Sequence, residues 1–503
     1  MGINYLTVLR IAGFSAGITG IAILPSLAVS FLCAEYDAAA RLAPCAAVLI
    51  LAALLGFRFS APGFSALLHP GAAHLHALRE HAEPGPRAVI LLSVLWWLFS
   101  SVFGAVPYLA CGLFEHAADA FFESVSGFTT TGATLIGDVE ALPRSLLLWR
   151  STTGWLGGLE ILFVAAVLIP FAAGAHPHPA HAETAAGLPE RPFSKNSGSG
   201  RMLLAIYSAL TLLLFLLLSP GMKPFDALIH SMGTISTGGF SNFNDGAAHF
   251  SGTSAAWILT VFMMLAALSS MQYFRMLSRR WGAFVQDAEM RYFLAMACVA
   301  AILLSLSLHF APSAMRPARS AGSAFFEAAA TLSTTGYSVA DYDLWPTFCQ
   351  ATLFLLMFVG GCSASPAGGM KVFRIVILFK LIHRNISLRL HPNAVVPIKF
   401  DGKTPGADWV SAVAGHALLY IAVFFSGTLL LSLDGADMLS SLSGVAACMG
   451  NIGPGFAQVG PGDGYTVFSA GAKLLLSLLM IAGRLELTAA VMLLTPLYWS
   501  GRK

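Results

Sequence analysis

Charged residues are scarce in this sequence. Only 11% of its 503 residues are Asp, Glu, Lys or Arg, whereas a soluble domain normally carries about 25%. This excludes a chain that is mostly surrounded by water. The net charge of +3 is also too small for the strongly basic surface that is typical of nucleic-acid binding. We therefore expect no nucleic-acid partner.

Motifs for catalysis and for metal binding are missing as well. The seven cysteines show no CxxC spacing and lie mostly in apolar stretches, so we interpret them as small buried residues. The intramembrane acids Glu160 and Glu486 lack a motif-like catalytic partner such as HExxH or GxSxG. We predict that the chain is not an enzyme, and an integral-membrane enzyme is kept only as a distant alternative.

Long apolar runs are what the sequence has instead. Hydrophobic residues make up 56% of the chain, and the mean hydropathy is +0.74. The first run follows MGINYLTVLR without a convincing small-residue cleavage site, so we interpret it as a membrane helix and not as a signal peptide. A spanning helix needs about 20 apolar residues. The candidates are 5–33, 42–57, 88–113, 144–170, 202–219, 255–274, 292–310, 347–380 (interrupted), 409–433 and 467–497. This predicts an all-α polytopic membrane protein with about ten membrane helices in the lipid bilayer.

Basic residues are concentrated on one side of this arrangement. The segments after the second, fourth, sixth and eighth predicted helices carry Arg58, Arg79, Arg87, Arg191, Lys195, Arg201, Arg275, Arg279, Arg280, Arg291, Lys380, Arg384, Arg389, Lys399 and Lys403. The four basic residues counted in the opposite segments are Arg41, Lys223, Arg316 and Arg319, against fifteen in the first set. Because cytoplasmic loops carry the excess of Lys and Arg, we expect both termini in the cytoplasm.

A short motif recurs four times after two leading helices. Each copy consists of a helix, a short amphipathic segment, a glycine-bearing turn and a second helix. The turns read TTTGA (129–133), ISTGG (235–239), STTGY (333–337) and NIGPG (451–455), and we align Gly132, Gly238, Gly336 and Gly453. This recurrence predicts four pseudo-symmetric helix–pore loop–helix repeats around one pore.

The composition of the turns indicates a cation site. Irregular backbone at membrane depth is tolerated only where protein buries it or where it lines a water-filled path. A ring of backbone carbonyls can replace the hydration shell of a cation, and glycine permits the backbone angles that such a strand needs. An anion would need donors or positive side chains, which the turns lack. The predicted selectivity filter comprises Thr130, Thr131, Gly132, Thr237, Gly238, Thr335, Gly336, Asn451, Ile452 and Gly453.

Acidic residues lie near each turn. Glu123 and Glu327 stand at equivalent distances before Gly132 and Gly336, and we interpret them as stabilising a short helix N-terminus, with direct ion contact as the alternative. On an outer vestibule, the acids beyond the turns would raise the local cation concentration, although ordinary solvated loop charges are an equal alternative. These acids are Asp138, Asp245, Asp341, Asp343 and Asp463.

The predicted eighth membrane helix is interrupted. LFLLMFVGGCSASPAGGMKVFRIVILFK is apolar at both ends, but its glycines and Pro366 cannot stay in a regular helix. We predict a flexible gate under the filter and keep a passive kink with anchoring charges as the alternative. In the last helix, Arg484 pairs with Glu486 or another acid such as Glu160, or else acts electrostatically in the gate. The predicted gate comprises Gly360, Gly361, Ser363, Ser365, Gly368, Gly369, Lys371 and Arg484.

The combined motifs match a known family. TTTGAT, STGGF, TTGY and NIGPG occur together with GGC and GGMKVFR in the interrupted helix, HPNAVVPIK at 391–399 and GRLE at 483–486. With these, nearly the whole chain resembles the Trk/Ktr/HKT superfamily of potassium transporters, and within it the TrkH family, which also carries the two leading helices. Two features depart from the family pattern. Ala364, Pro366 and Met370 alter the interrupted helix, and a loop with His176, His178 and His181 near Glu183 is interpreted as a flexible connector instead of a metal site.

The resemblance implies potassium uptake across the bacterial inner membrane by a homodimer with cytoplasmic TrkA-type nucleotide-binding regulatory subunits. Potassium is the transported ligand, held at the filter residues, and the chain has no cofactor of its own. Because GxxxxGK[ST] is absent, any ATP or NAD control has to come from the partner. Glycine in all four turns favours potassium, whereas sodium-preferring relatives typically have serine in the first. A sodium or mixed monovalent-cation transporter of the same architecture is the alternative.

The expected organisation follows from these repeats. The ranges are 1–86 for the two leading membrane helices and a cytoplasmic loop, 87–170 for pore repeat 1, 171–200 for a cytoplasmic connector, 201–282 for repeat 2, 283–382 for repeat 3 with its broken second helix, 383–407 for a cytoplasmic linker and 408–503 for repeat 4.

Overall fold

The computed structural model describes residues 5–59, 86–163, 198–312, 320–485 and 487–499. Within these ranges the chain is helical, with three short 3-10 segments and no β-strand. Several sequence predictions fall outside the described residues: the histidines of the connector, Glu486, and the basic residues Arg79, Arg191, Lys195, Arg316 and Arg319.

The helices occur in the predicted order. Two leading helices, α1 (Tyr5–Leu32) and α2 (Tyr36–Phe59), pack against each other. Repeat 1 contains α3 (Pro86–Ala110), α4 (Ala117–Phe128) and α5 (Arg144–Phe163); repeat 2 contains α6 (Gly198–Leu218), α7 (Pro224–Ile235), α8 (Ser254–Ala266), α9 (Ser270–Leu277) and α10 (Trp281–Val285). Repeat 3 contains α11 (Ala288–Phe310), α12 (Ser320–Leu332), α13 (Thr347–Met357) and α14 (Val372–Leu390). Repeat 4 contains α15 (Ala407–Ser432), α16 (Met438–Gly450), α17 (Ala470–Arg484), α18 (Leu487–Leu494) and α19 (Pro496–Trp499).

Six helices in the described ranges are long and apolar enough to span a membrane. They are α1, α2, α3, α6, α11 and α15. Two further candidates are pairs that bend sharply, by 92° between α8 and α9 and by 118° between α17 and α18. The sequence predicted both pairs as continuous helices, at 255–274 and 467–497, and that continuity is wrong.

The helices α4, α7, α12 and α16, which we call the pore helices, are too short to cross a bilayer. Each has 12 or 13 residues, or about 18–20 Å at 1.5 Å per residue. Two of them start with ordinary helix signals: Pro224 occupies the first turn of α7, and Asp437 at the start of α16 accepts hydrogen bonds from Leu439 N and Ser440 N, both at 3.1 Å. Local sequence therefore favours the start of these two helices.

The pore helices pack in a cyclic order. Each one contacts the helix before it and the helix after it in its own repeat. Each also contacts the helix that follows the turn in the preceding repeat: α7 packs on α5, α12 on α8, α16 on α13 and α4 on α17. Because α4 meets α17, the fourth repeat closes back onto the first. The four repeats thus surround a common centre.

Candidate functional site: four turns in a ring

Each pore helix ends in the same backbone motif. A residue one or two places beyond the helical end adopts a left-handed conformation in all four repeats, at Thr130, Thr237, Thr334 and Asn451, with φ between 51° and 56°. In the first repeat, Thr130 N donates to Gly127 O and Thr131 N to Ser126 O, both at 2.8 Å, and the other three repeats show the same spacing. This is the Schellman motif, which turns the chain sharply away from the helix.

The motif fixes the alignment of the turns. Two residues after the left-handed residue comes a glycine with positive φ: 83° at Gly132, 66° at Gly239, 72° at Gly336 and 107° at Gly453. The predicted register is therefore wrong by one residue in the second turn, where Gly239 is the equivalent glycine. Gly238 instead occupies the place of Thr131, Thr335 and Ile452. All ten residues predicted for the filter lie within these four turns.

The glycines lie where neighbouring turns meet, and we call these four contacts the seams of a closed ring. A Cβ added at Gly132 would lie 2.5 Å from Gly238 O, and one at Gly453 would lie 2.6 Å from Thr131 O. A Cβ at Gly239 would overlap Thr335 O, and one at Gly336 would overlap Ile452 O. The first turn thus contacts the second, the second the third, the third the fourth, and the fourth the first. The close approach of neighbouring backbones, together with positive φ, explains glycine at all four positions.

Buried oxygen atoms without a partner occur in these turns. Thr130 Oγ1, Thr237 Oγ1 and Asn451 Oδ1 have no hydrogen-bond partner among the described residues, although all three side chains are buried. A β-branched residue in a left-handed conformation is itself rare. Strain and unsatisfied acceptors together are typical of functional sites. They provide the kind of oxygen ligands that a dehydrated monovalent cation requires.

A polar side chain of each pore helix forms a hydrogen bond with the extended segment that follows its turn, which we call the exit strand. Glu123 accepts from Leu135 N at 2.9 Å, and Glu327 accepts from Val339 N at 2.8 Å. His230 Nε2 lies 3.1 Å from Ser241 Oγ, and Phe456 N donates to Ser443 Oγ at 2.8 Å. The prediction that Glu123 and Glu327 stabilise a helix N-terminus is wrong. They lie beyond the first turn of their helices and fix the exit strands instead.

The acids beyond the turns differ in their surroundings. Asp138 is exposed, and the hydrogen bond from Asn244 holds its pKa below the usual range. Asp343 is half-buried, and this burial, reinforced by the neighbouring charges of Asp341 and Asp463, raises its pKa to about 6. Beyond the turns, one carboxyl group therefore has a lowered pKa and another a raised one.

The interruption between α13 and α14 lies against the ring. Gly368 N in this segment, 358–371, donates to Thr334 Oγ1 at 2.7 Å, and a Cβ at Gly368 would overlap Gly450 O at the end of α16. The contacts are with the left-handed residue of the third turn and with the last residue of a pore helix. The intramembrane segment therefore lies on the side opposite the exit strands, as the gate prediction requires.

Glu289 of the same repeat and backbone groups of repeat 2 hold the intramembrane segment. Glu289 of α11 accepts from Ser363 N at 2.7 Å and from Ser363 Oγ at 2.6 Å. Between α8 and α9, Ala267 O accepts from Cys362 N at 3.0 Å, and Ser270 N donates to Ala364 O at 3.1 Å. The bend in repeat 2 and the interruption in repeat 3 thus satisfy each other's backbone groups. The predicted gate residues Gly360, Gly361, Ser363, Ser365, Gly368, Gly369 and Lys371 all belong to this segment.

Arg484 reaches the same segment from the fourth repeat. It is buried and its Nη1 donates to Pro366 O, while Nε and Nη2 have no partner among the described residues. Both carboxylate oxygens of Glu160 are likewise buried and without a partner there. No direct ion pair joins Arg484 and Glu160 among the salt bridges of the described residues. The structure thus shows a contact of Arg484 with the segment predicted as the gate, whereas the alternative partner Glu486 lies outside the described residues.

Comparison with known proteins assigns this chain to a family. A family profile described as "TrkH: Cation transport protein" matches residues 90–499. The chain belongs to the TrkH family. A TrkH-family relative in Halomonas elongata, "Trk system potassium uptake protein TrkH", is 32% identical over 434 residues, which cover 85% of this chain and 89% of the relative. The protein of the same name from Escherichia coli K12 is 31% identical over 84% of this chain and 88% of its own length.

A solved TrkH-family structure supports the same assignment. The crystal structure of the potassium transporter TrkH from Vibrio parahaemolyticus aligns with a TM-score of 0.84 at 29% identity, covering 99% of this chain and 100% of that one. The predicted all-α membrane architecture and the suspected family are thereby confirmed.

Sequence reasoning missed two charged residues of the TrkH-type site. Arg150 of α5 lies 2.8 Å from Glu123 and is buried behind the first and second turns. Glu289 anchors the intramembrane segment. The signal that was available for Arg150 is a charge inside a predicted membrane helix, which is costly and indicates function.

Proposed function

We propose that this chain carries K⁺ into the bacterial cell through a selectivity filter formed by its four turns. The observation that carries the proposal is the closed ring, in which each turn meets the next at a glycine. A ring of backbone carbonyls is suited to replace the hydration shell of K⁺. Membership in a family of cation transport proteins supports transport over the alternative of an intramembrane enzyme.

The surroundings of the ring favour a cation. The four pore helices end at the ring, so that their partially negative C-termini face it. The unpartnered oxygens of Thr130, Thr237 and Asn451 add neutral ligands. The curated relatives are named for potassium uptake, and glycine occupies all four seams here. Potassium is therefore favoured over the sodium or mixed-cation alternative of the same architecture.

Conduction is gated by the intramembrane segment 358–371 in this proposal. The segment contacts the third and fourth turns on the side opposite the exit strands, where it obstructs ions that leave the filter. Arg484 stabilises this position through Pro366 O and adds a positive charge on the path. Opening requires the bonds to Glu289, Ala267 and Ser270 to break or move together.

The proposed assembly is a homodimer in the inner membrane, with both termini in the cytoplasm. TrkA-type subunits on the cytoplasmic side would control the gate through ATP or NAD, and this chain would contribute no cofactor site. The concentration of basic residues in the loops between alternate helices supports this orientation.

Growth on low potassium tests the proposed function. A bacterium that lacks its own potassium uptake, expressing this chain with a matched regulatory subunit, is expected to grow at low K⁺, and purified protein in vesicles is expected to take up Rb⁺ in preference to Na⁺. K⁺ is also expected to raise the melting temperature more than Na⁺, since a ligand of the native state stabilises it. Absence of growth despite membrane expression, or equal uptake of both ions, contradicts the proposal.

A further inference from the structure

Arg150 is a buried cation behind the seam between the first and second turns. Only 2% of the residue is exposed. Its Nε donates to Glu123 Oε1 at 2.8 Å, its Nη2 to Thr134 Oγ1 at 3.1 Å and its Nη1 to Ser241 O at 3.2 Å. The guanidinium carbon also lies 4.0 Å from the centre of the Phe240 ring. One side chain therefore serves three acceptors and an aromatic face.

Two of these acceptors occupy equivalent places in adjacent turns. Thr134 is the second residue after Gly132, and Ser241 is the second residue after Gly239. Arg150 thus joins the two exit strands at the same level above the ring. Movement of one strand relative to the other would stretch hydrogen bonds to a charged group, which are the stronger class of hydrogen bond.

At the turns and exit strands, the other seams are tied by neutral groups in the described part of the chain, and the ion pair of Lys473 with Asp119 joins the helices α17 and α4 instead. Tyr337 OH donates to Phe240 O at 3.3 Å between the second and third turns, and Tyr342 OH to Gly455 O at 3.0 Å between the third and fourth. Tyr465 N donates to Thr134 O at 2.9 Å between the fourth and first. The seam at Arg150 is therefore distinguished by a charged tie.

Arginine is suited to this position in a way that lysine is not. Its planar fork holds several donors in fixed directions, and it stacks on aromatic rings. The pairing with Glu123 offsets the cost of burying the charge, because an unpaired buried charge is strongly destabilising. A lysine could pair with Glu123 but presents a single ammonium to acceptors that lie in different directions.

We propose that Arg150 is a positioning residue that fixes the spacing of the first and second exit strands and thereby sets the preference of the filter for K⁺ over Na⁺. The proposal rests on the proposed function. A filter selects between ions of different size only if its oxygens keep their spacing when the smaller ion enters. The Arg150 tie opposes that contraction at one of the four seams.

Arg150→Lys tests the positioning role while it keeps the buried ion pair. Its melting temperature is expected to stay close to that of the parent, whereas the ratio of Rb⁺ to Na⁺ uptake in vesicles falls about fivefold, within the range of couplings between contacting residues. Arg275→Lys is the matched control. Arg275 pairs with Asp287 at 2.8 Å, away from the ring, and the uptake ratio is expected to stay at the parental value.

A second variant covers the case in which Arg150→Lys fails to fold. Glu123→Gln combined with Arg150→Met removes both charges, so no buried charge is left unpaired. This double variant is expected to fold with a relaxed uptake ratio. A parental ratio in either folded variant overturns the proposal, and failure of both to fold assigns Arg150 a purely structural role and overturns it too. If the parent itself shows no K⁺ preference, the proposed function fails instead.

Discussion

Serine at Gly132 is the most informative single change in the ring. Gly132 has φ of 83°, a conformation that costs a residue with a Cβ about 1–2 kcal/mol. The new Cβ would also lie 2.5 Å from Gly238 O, so the seam has to open by several tenths of an ångström. At Gly336 the added atom would overlap Ile452 O outright. The first seam therefore tolerates serine better than the third.

The strain at Gly132 is expected to appear as lost selectivity. If about 1–2 kcal/mol is taken from the fit of the ring around K⁺, the preference over Na⁺ falls roughly 5- to 30-fold. Gly132→Ser is therefore expected to keep uptake but reduce the ratio of Rb⁺ to Na⁺ flux in vesicles by that factor. Gly336→Ser is expected to lose uptake and to melt at a lower temperature.

Gly137→Ser serves as the control for both variants. Gly137 lies in the same loop, has no positive φ, and a Cβ there would meet nothing within 4 Å. Its flux ratio is expected to equal that of the parent. Two results refute the reasoning: an unchanged flux ratio in Gly132→Ser, or better uptake in Gly336→Ser than in Gly132→Ser.

Three further predictions concern the gate and the outer acids. Glu289→Gln weakens the hydrogen bonds to Ser363 and is expected to raise K⁺ flux in the absence of a regulatory subunit several-fold. The control variant Asp287→Asn should leave this flux unchanged. Equal flux in the two variants contradicts the proposed gate. Asp343 has a pKa raised to about 6, so uptake is expected to fall between external pH 7 and 5, and Asp343→Asn should abolish that dependence. Because the pKa of Asp343 is higher in the native than in the unfolded state, its protonated form stabilises the native state below about pH 4. This stabilisation is lost as the pH rises through 6. The melting temperature of the Asn variant should lack this pH dependence.

The ring could be predicted from the sequence because its signals are local and repeated. Gly recurs after each amphipathic segment, with Thr before it in three of the four copies, and four copies limit the alternatives. The register of the second turn could not be settled in this way, since ISTGG offers two adjacent glycines. Only the hydrogen bonds of the helix end, from Thr237 N to Thr234 O and Gly238 N to Gly233 O, place the positive φ at Gly239.

The bend in repeat 2 had no comparable local signal. The α8–α9 bend contains no proline or glycine; its chain reads LAALSSMQ. Its free backbone groups are satisfied by Cys362 and Ala364, about a hundred residues away in sequence, and a window of sequence does not contain that information. The role of Glu123 and Glu327 was missed for the same reason, because their partners lie beyond the turn and become neighbours only when the strand folds back.

The cyclic packing has a consequence for how the protein is made. The seam between the fourth and first turns joins Asn451 Nδ2 to Thr131 Oγ1 at 3.0 Å, 320 residues apart, and Lys473 pairs with Asp119 at 2.7 Å across 354 residues. During synthesis, the first pore helix enters the bilayer long before its neighbour in the fourth repeat exists. Contacts of such sequence separation form late and slowly. A nascent chain therefore holds an incomplete ring, with polar turns exposed at membrane depth, until nearly its last helix is inserted.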